Sequence, residues 1–173
     1  MDATASHHAN GELYYEHRGE ARGLRARQYV YGIGSYHYNW HPALEVLVVV
    51  TGGMELCADG RVERCEPGDV MVINSNDGHA TLATQPHTTV LLLHIDAGYL
   101  AGFTQDGSVP RFSCRSTGST RDQPGFTRLR MLLARMMLAS DRPGPGSEAA
   151  WEAGLLSVVA TLFDHLSLIH ISE

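Results

Sequence analysis

Between residues 24 and 95 the chain repeats one pattern: a short apolar run, then a turn rich in Gly, Pro or Asp. "LRARQYVY" (24–31) alternates aliphatic or aromatic residues with arginines, as a strand with one buried face does. In "LEVLVVV" (44–50) the stretch from Val46 to Val50 is an unbroken apolar run, closed by Gly52-Gly53, which can take the positive φ of a tight reversal. "MELCAD" and "RVERCE" flank Asp59-Gly60, a two-residue hairpin signal. Pro67-Gly68-Asp69 turns the chain into "VMVIN", the loop "SNDGH" leads to "ATLAT", and "TTVLLLHI" ends the series. Short strands at regular intervals predict a small antiparallel sandwich or barrel over 23–105.

Beyond this the pattern changes period. Residues 106–125 form a Gly/Ser/Pro-rich linker. From Phe126, apolar residues recur at three- and four-residue steps through Leu129, Leu132, Leu133, Met136 and Met137, which predicts an amphipathic helix. "SDRPGPGSE" breaks it, and a second helix is expected from Glu148 to Leu166, with Ser147 as N-cap and Trp151, Leu155, Val158, Val159, Leu162 and Leu166 on its apolar face. The pair, 126–166, reads as a helical hairpin whose broad apolar faces pack on the barrel, on each other, or against a second copy. Residues 1–22 are polar and read as an N-terminal arm. The last stretch, "LSLIHISE", carries no cap and resembles a translated sequencing adapter, so 167–173 is expected to be a non-native tail.

Composition narrows the function. The net charge of −6 argues against a domain that grips a phosphate backbone, so no direct nucleic-acid binding is expected of this segment. No apolar run approaches the roughly 18–20 residues of a membrane span, and no membrane partner is expected. Cys57, Cys65 and Cys114 are odd in number and lack metal-ligand spacing, which fits structural thiols in a reduced, cytoplasmic setting.

The candidate chemistry gathers where the barrel run begins. Side chains alternate along a strand, so Asn39, His41 and Glu45 share a face with Leu47 and Val49. If those aliphatics point into a barrel, so does the polar trio, and closure could bring His79 opposite His41. Two imidazoles, a carboxylate and an amide at a barrel mouth suit a divalent metal or a hydroxyl-rich ligand. The plainer reading is a hydrogen-bonded His41–Glu45 pair that closes the mouth. Arg27 is either a solvated strand arginine or, facing inward, the clamp of an anionic or hydroxylated group. His94 reads as a satisfied core or rim histidine, Trp40 as packing beneath a helix, and Tyr29 and Tyr31 as packing residues. No nucleophile elbow, phosphate-binding loop, dinucleotide fingerprint or His-Glu-x-x-His helix is present.

These residues also carry a resemblance. His41, three residues, Glu45, six residues, Gly52 is similar to the second half of the first cupin motif, and "GRVERCEPGDVMVINSNDGH" resembles the second. With the helix pair behind the barrel, residues 24–166 most resemble the ligand-binding and dimerisation domain of AraC-type transcription regulators. The resemblance implies a jelly-roll barrel, mainly β with α, followed by an amphipathic helical hairpin. It also implies a truncation before a helix-turn-helix domain. Where metal-dependent cupins begin His-x-His, this chain has Asn39-Trp40-His41, a weaker donor set in which His37 could substitute through a bulge.

The leading expectation is therefore a non-enzymatic, cofactor-free sensor module. A small effector, a sugar or small acid, sits against Arg27, Asn39, His41, Glu45 and His79, and a homodimer forms through 126–166. The alternative is a metal-dependent cupin enzyme, a dioxygenase or isomerase, with His41, Glu45 and His79 as ligands. A third reading is a dimerisation scaffold with a filled barrel.

Overall fold

In the computed structural model, residues 4–7, 13–19, 26–34, 37–113, 115–116, 118–142 and 144–167 are described, with only the backbone of 4–7, 13–19 and His37. Among the described residues, ten strands form two antiparallel sheets. They are β1 (Thr4–His7), β2 (Leu13–Gly19), β3 (Ala26–Gly32), β4 (His37–Asn39), β5 (Leu44–Thr51), β6 (Met54–Ala58), β7 (Arg61–Cys65), β8 (Val70–Ile73), β9 (His79–Ala83) and β10 (Thr89–Ile95). One sheet has the order β1-β2-β3-β10-β5-β8 and the other β4-β9-β6-β7. After β3 the chain crosses between sheets at every step except β6–β7, a hairpin within the smaller sheet, giving the expected jelly-roll sandwich. Within the segment expected as an arm, 4–7 and 13–19 pair as β1 and β2 and extend the larger sheet beside β3.

The unbroken run in β5 has a simple cause: this strand is buried on both faces. On the inner face Leu47, Val49, Met71, Ile73 and Val90 meet Leu56, Ala58 and Met54 of the smaller sheet. On the outer face Leu44, Val46, Val48, Leu91, Leu93 and Ile95 meet the helices α2 (Pro124–Ser140) and α3 (Pro145–Leu166) through Leu129, Leu133, Leu155, Val158 and Leu162. The helical hairpin therefore covers one wall of the sandwich. Gly154 lets the two helices close on each other, since a Cβ there would run into Met136. Fully buried Gln28 ties all three elements together: its Nε2 donates to the Leu133 carbonyl (2.8 Å), and Trp151 Nε1 donates to its Oε1 (3.1 Å).

The turns follow their sequence signals. Asp59 and Gly60 both have positive φ, 54° and 70°, as a primed hairpin turn requires. Gly52, at φ 75°, lies so close to Thr88 that any Cβ would clash with its side chain and backbone. The Pro67-Gly68-Asp69 turn is an anchor: buried Asp69 accepts from the Glu66 N–H (2.8 Å) and pairs with Arg121 Nε (2.7 Å), while Arg130 donates to the Gly68 carbonyl (2.9 Å).

Several expectations need correction. The second helix starts at Pro145 rather than Glu148; proline suits the first turn, where its missing N–H costs nothing, and Ser147 Oγ donates back to the Gly144 carbonyl instead of capping. A short helix, α1 (Ala97–Ala101), follows β10, capped by Asp96, whose carboxylate accepts from the Tyr99 N–H. Trp40 packs beneath no helix: it is 66% exposed, because the helices cover the other sheet. Part of the linker is built in, since Arg115 bridges to Met71 and the Ser116 N–H bonds to Val70 along the edge of β8. Of the expected tail only Ser167 lies within the described residues, bridged to Phe112; 168–173 lie outside them, as do Cys114 and the His37 side chain. Among the described residues no helix is long and apolar enough to cross a membrane.

Candidate metal centre

Two transverse rows of residues face each other at one end of the sandwich. In the larger sheet the ladders align Arg27 (β3), His94 (β10), Glu45 (β5) and Ile73 (β8). In the smaller sheet they align Asn39 (β4), His79 (β9), Ala58 (β6) and Arg61 (β7). His41 comes from the segment leading into β5. The site centres on Glu45, a carboxylate with a side chain only 6% exposed. Its Oε2 lies 3.0 Å from His94 Nε2, 3.3 Å from His41 Nε2 and 3.6 Å from His79 Nε2. The rings of His41 and His79, and of His41 and His94, stand 5.2 and 4.8 Å apart, with Tyr29 edge-on to His94 at 5.1 Å.

The ring orientations decide what this cluster can hold. His41 Nδ1 lies 3.0 Å from the Ala43 carbonyl and His79 Nδ1 lies 3.1 Å from the Asp77 carbonyl. A carbonyl oxygen only accepts, so in both rings Nδ1 carries the hydrogen. In the neutral rings Nε2 is then a bare lone pair, yet both Nε2 atoms face a carboxylate oxygen, which is also an acceptor. Acceptors crowd together this way only with a cation between them, either a proton on the ring or a metal ion. Holding a histidine by its far nitrogen on a backbone carbonyl is also how metal-binding imidazoles are oriented.

The electrostatics follow the same logic. Burial alone would raise the Glu45 carboxyl, but hydrogen bonds from His41 and His94, with the charges of His94 and His79, hold it at about 2. The Glu45 bond raises His41 above its ordinary value against the opposing effect of burial. The carboxylate is thus ionised in the interior. Among the described residues it has no Arg or Lys partner, only imidazoles. Donor atoms of His41, Glu45 and His94 all lie within 4.8 Å of one another. Three imidazoles and a carboxylate suit a first-row divalent ion, so the residues present fit such a metal.

The sequence-derived candidates divide accordingly. His41, Glu45 and His79 come together as expected. Arg27 and Asn39 occupy the same rows, opposite His94 and His79, but both are exposed, and among the described residues neither is hydrogen-bonded into the cluster. His94, read as a core or rim histidine, makes the shortest contact with Glu45 and supplies the third imidazole that Asn39 does not. Its inward parity with Val90 and Leu92 was visible in the sequence; the β10–β5 pairing that places it beside Glu45 was not. Among the described residues Cys57 and Cys65 are free thiols, and burial pushes the Cys65 thiol up to about 12.

The site also overturns the expectation of a non-enzymatic module, and it favours a divalent metal that the sequence held only as the lesser possibility. Donor atoms of His41, Glu45 and His94 lie close enough together to hold a metal ion, His79 Nε2 adds an imidazole 3.6 Å from Glu45 Oε2, and the side chains of His41 and His94 are 26% exposed.

The fold is a two-sheet jelly roll with histidines and a glutamate at one mouth, and residues 28–96 match the Cupin domain family model. Among solved structures the chain is similar to the oxalate decarboxylase OxdC of Bacillus subtilis (a deletion mutant: 16% identity, TM-score 0.47, covering 61% of this chain and 33% of that one). It is also similar to a Lactobacillus farciminis oxalate decarboxylase formate complex (18%, TM-score 0.47, 61% and 37%) and to KdgF from Halomonas sp. (22%, TM-score 0.44, 53% and 86%). The chain spans about a third of the length of the oxalate decarboxylases. No curated protein matches it in sequence.

Proposed function

We propose that the chain is a metal-dependent cupin enzyme of the dioxygenase or isomerase kind, with His41, Glu45, His79 and His94 as its metal-binding residues. The observation that carries this reading is the set of lone pairs aimed at Glu45 Oε2 by rings whose other nitrogens are held on carbonyls. When bound there, a divalent ion would supply Lewis-acid activation of an oxygen ligand or, as iron or manganese, one-electron chemistry. The protein's own part is to fix the donors. Glu45 and His94 are set by their opposed places in the β5–β10 ladder, and His41 and His79 by their carbonyl bonds. His79, with its side chain 2% exposed, forms the inner side, whereas His41 and His94 face the mouth, so substrate approaches past these two. Tyr29 walls the His94 side.

Elemental mass spectrometry on protein purified without tag or chelator tests the reading. About one first-row metal per chain is expected, with nearly complete loss in His41→Ala and His94→Ala. Metal-free wild type that also fails to bind added zinc, manganese or iron would defeat it.

A second reading retains the sensor half of an AraC-type regulator, with the same mouth holding a small effector and a homodimer contact on the helices. What favours it is the hairpin's outer surface, where Met131, Leu138 and Leu156 are 43, 65 and 47% exposed. Sedimentation equilibrium tests the dimer: wild type should sediment at twice the chain mass and Leu138→Glu/Leu156→Glu at the chain mass.

A further inference from the structure

Beside the cluster a cleft of about 390 Å³ opens between the smaller sheet, the end of β8 and Arg111, Phe112, Ser113 and Arg115. Its position follows from the two rows. Ile73, in its wall, is the ladder partner of Glu45, and Ala58 is the ladder partner of His79. The cleft therefore lies one strand away from both metal-binding residues, at the same level of the sandwich, about 4.8 Å along each sheet.

Three arginines line it, and two are committed. Arg111 gives both hydrogen bonds of its Nη2 to the Asp77 carboxylate (3.0 and 2.8 Å). Arg115 reaches Glu63 through Nη1 (2.6 Å) and Asp59 through Nη2 (3.0 Å). Arg61, paired in register with Ala58 and so on the inner-face parity, has no carboxylate partner among the described residues. The acidic groups of the cleft are thus already neutralised, and one exposed guanidinium at its rim is not.

We propose that this cleft is the acid-binding compartment of the site, in which Arg61 receives a carboxylate of the ligand while the ligand's other end reaches the His–Glu cluster. The inference rests on the metal-centre reading for what happens at that other end. Guanidinium and carboxylate match as a two-pronged pair, which fixes orientation as well as charge. His79 and Arg61 stand two strands apart in one row, about 10 Å between backbones, and the arginine side chain spans much of that distance. A ligand touching both has its carboxylate a few bonds from the oxygen it offers to the cluster, as in a short-chain keto or hydroxy acid. Neutral sugars and amines lack the charge that this end of the cleft would select.

Calorimetric titration of the full chain with 2-oxoglutarate, with and without added manganese, tests the proposal, and manganese binding is measured separately in each variant. Wild type should bind the acid. Arg61→Gln should weaken it about tenfold while manganese binding stays unchanged, and Arg61→Lys should fall between. Equal affinity in wild type and Arg61→Gln, or no binding of the acid to wild type, overturns the cleft assignment. Arg61-dependent binding of the acid in a chain that takes up no manganese supports the cleft and overturns the metal centre instead.

Discussion

Glu45 and His41 titrate in opposite senses, and the metal-free protein should show both. Glu45 is held at about 2 against an ordinary 4.5, so the stability it contributes is in place above the unfolded value and is lost as pH falls through about 2. His41 is raised above 6.5, so its contribution is complete below 6.5 and is lost as pH rises through the raised value. Thermal melts of chelator-treated protein should therefore give the highest Tm at mildly acidic pH, with a decline on each side. In Glu45→Gln both slopes should flatten, because the amide removes the charge that both shifts depend on. A Tm unchanged from pH 5 to 9 in wild type would contradict this account of His41. At this scale the sequence was informative wherever a side chain acts with its near neighbours. His41 and Glu45 are four apart, and their parity with Leu47 placed them inside. The link between His94 and Glu45 was not visible because the two are 49 residues apart, and only the strand order joins them.

At the scale of elements, buried Gln28 holds both helices to the barrel, and buried Asp69 ties a barrel turn to Arg121, just before α2. Gln28 accepts the Trp151 indole N–H and donates to α2 in an otherwise apolar layer. Gln28→Leu keeps the volume but removes that acceptor, which should cost about 1–3 kcal/mol, read as a lower urea midpoint with an unchanged slope. Asp69→Ala removes a buried carboxylate that serves both the Glu66 N–H and Arg121, and a loss of about 3 kcal/mol is expected in the same assay. The strands and turns were legible because period-two alternation and Gly/Asp signals are local. The start of α3 was not, because Pro145 could be read as a breaker or as a first-turn residue, and Ser147 offered a competing cap. The unbroken run of β5 left both of its faces apolar, and only Glu45 at its start distinguishes the inner one.

At the scale of the whole molecule, the sandwich is asymmetric. The larger sheet is backed by α2 and α3, whereas the smaller one turns its other face outward, with Tyr38 69% and Val62 63% exposed. No local pattern announces this, because which wall receives the helices is decided by how their apolar faces meet β5 and β10 together. The backed wall carries Glu45 and His94; the bare wall carries His79. An ion bound by donors from both walls would act as a clasp across the seam, and most of what it fastens is the wall with nothing behind it. Hydrogen exchange with and without added metal should show this as unequal slowing. Amides of 79–83 should gain far more protection than those of 44–49, which the helices already keep closed. The helices and the metal would then do one job from opposite sides, each holding shut the half that the other does not reach.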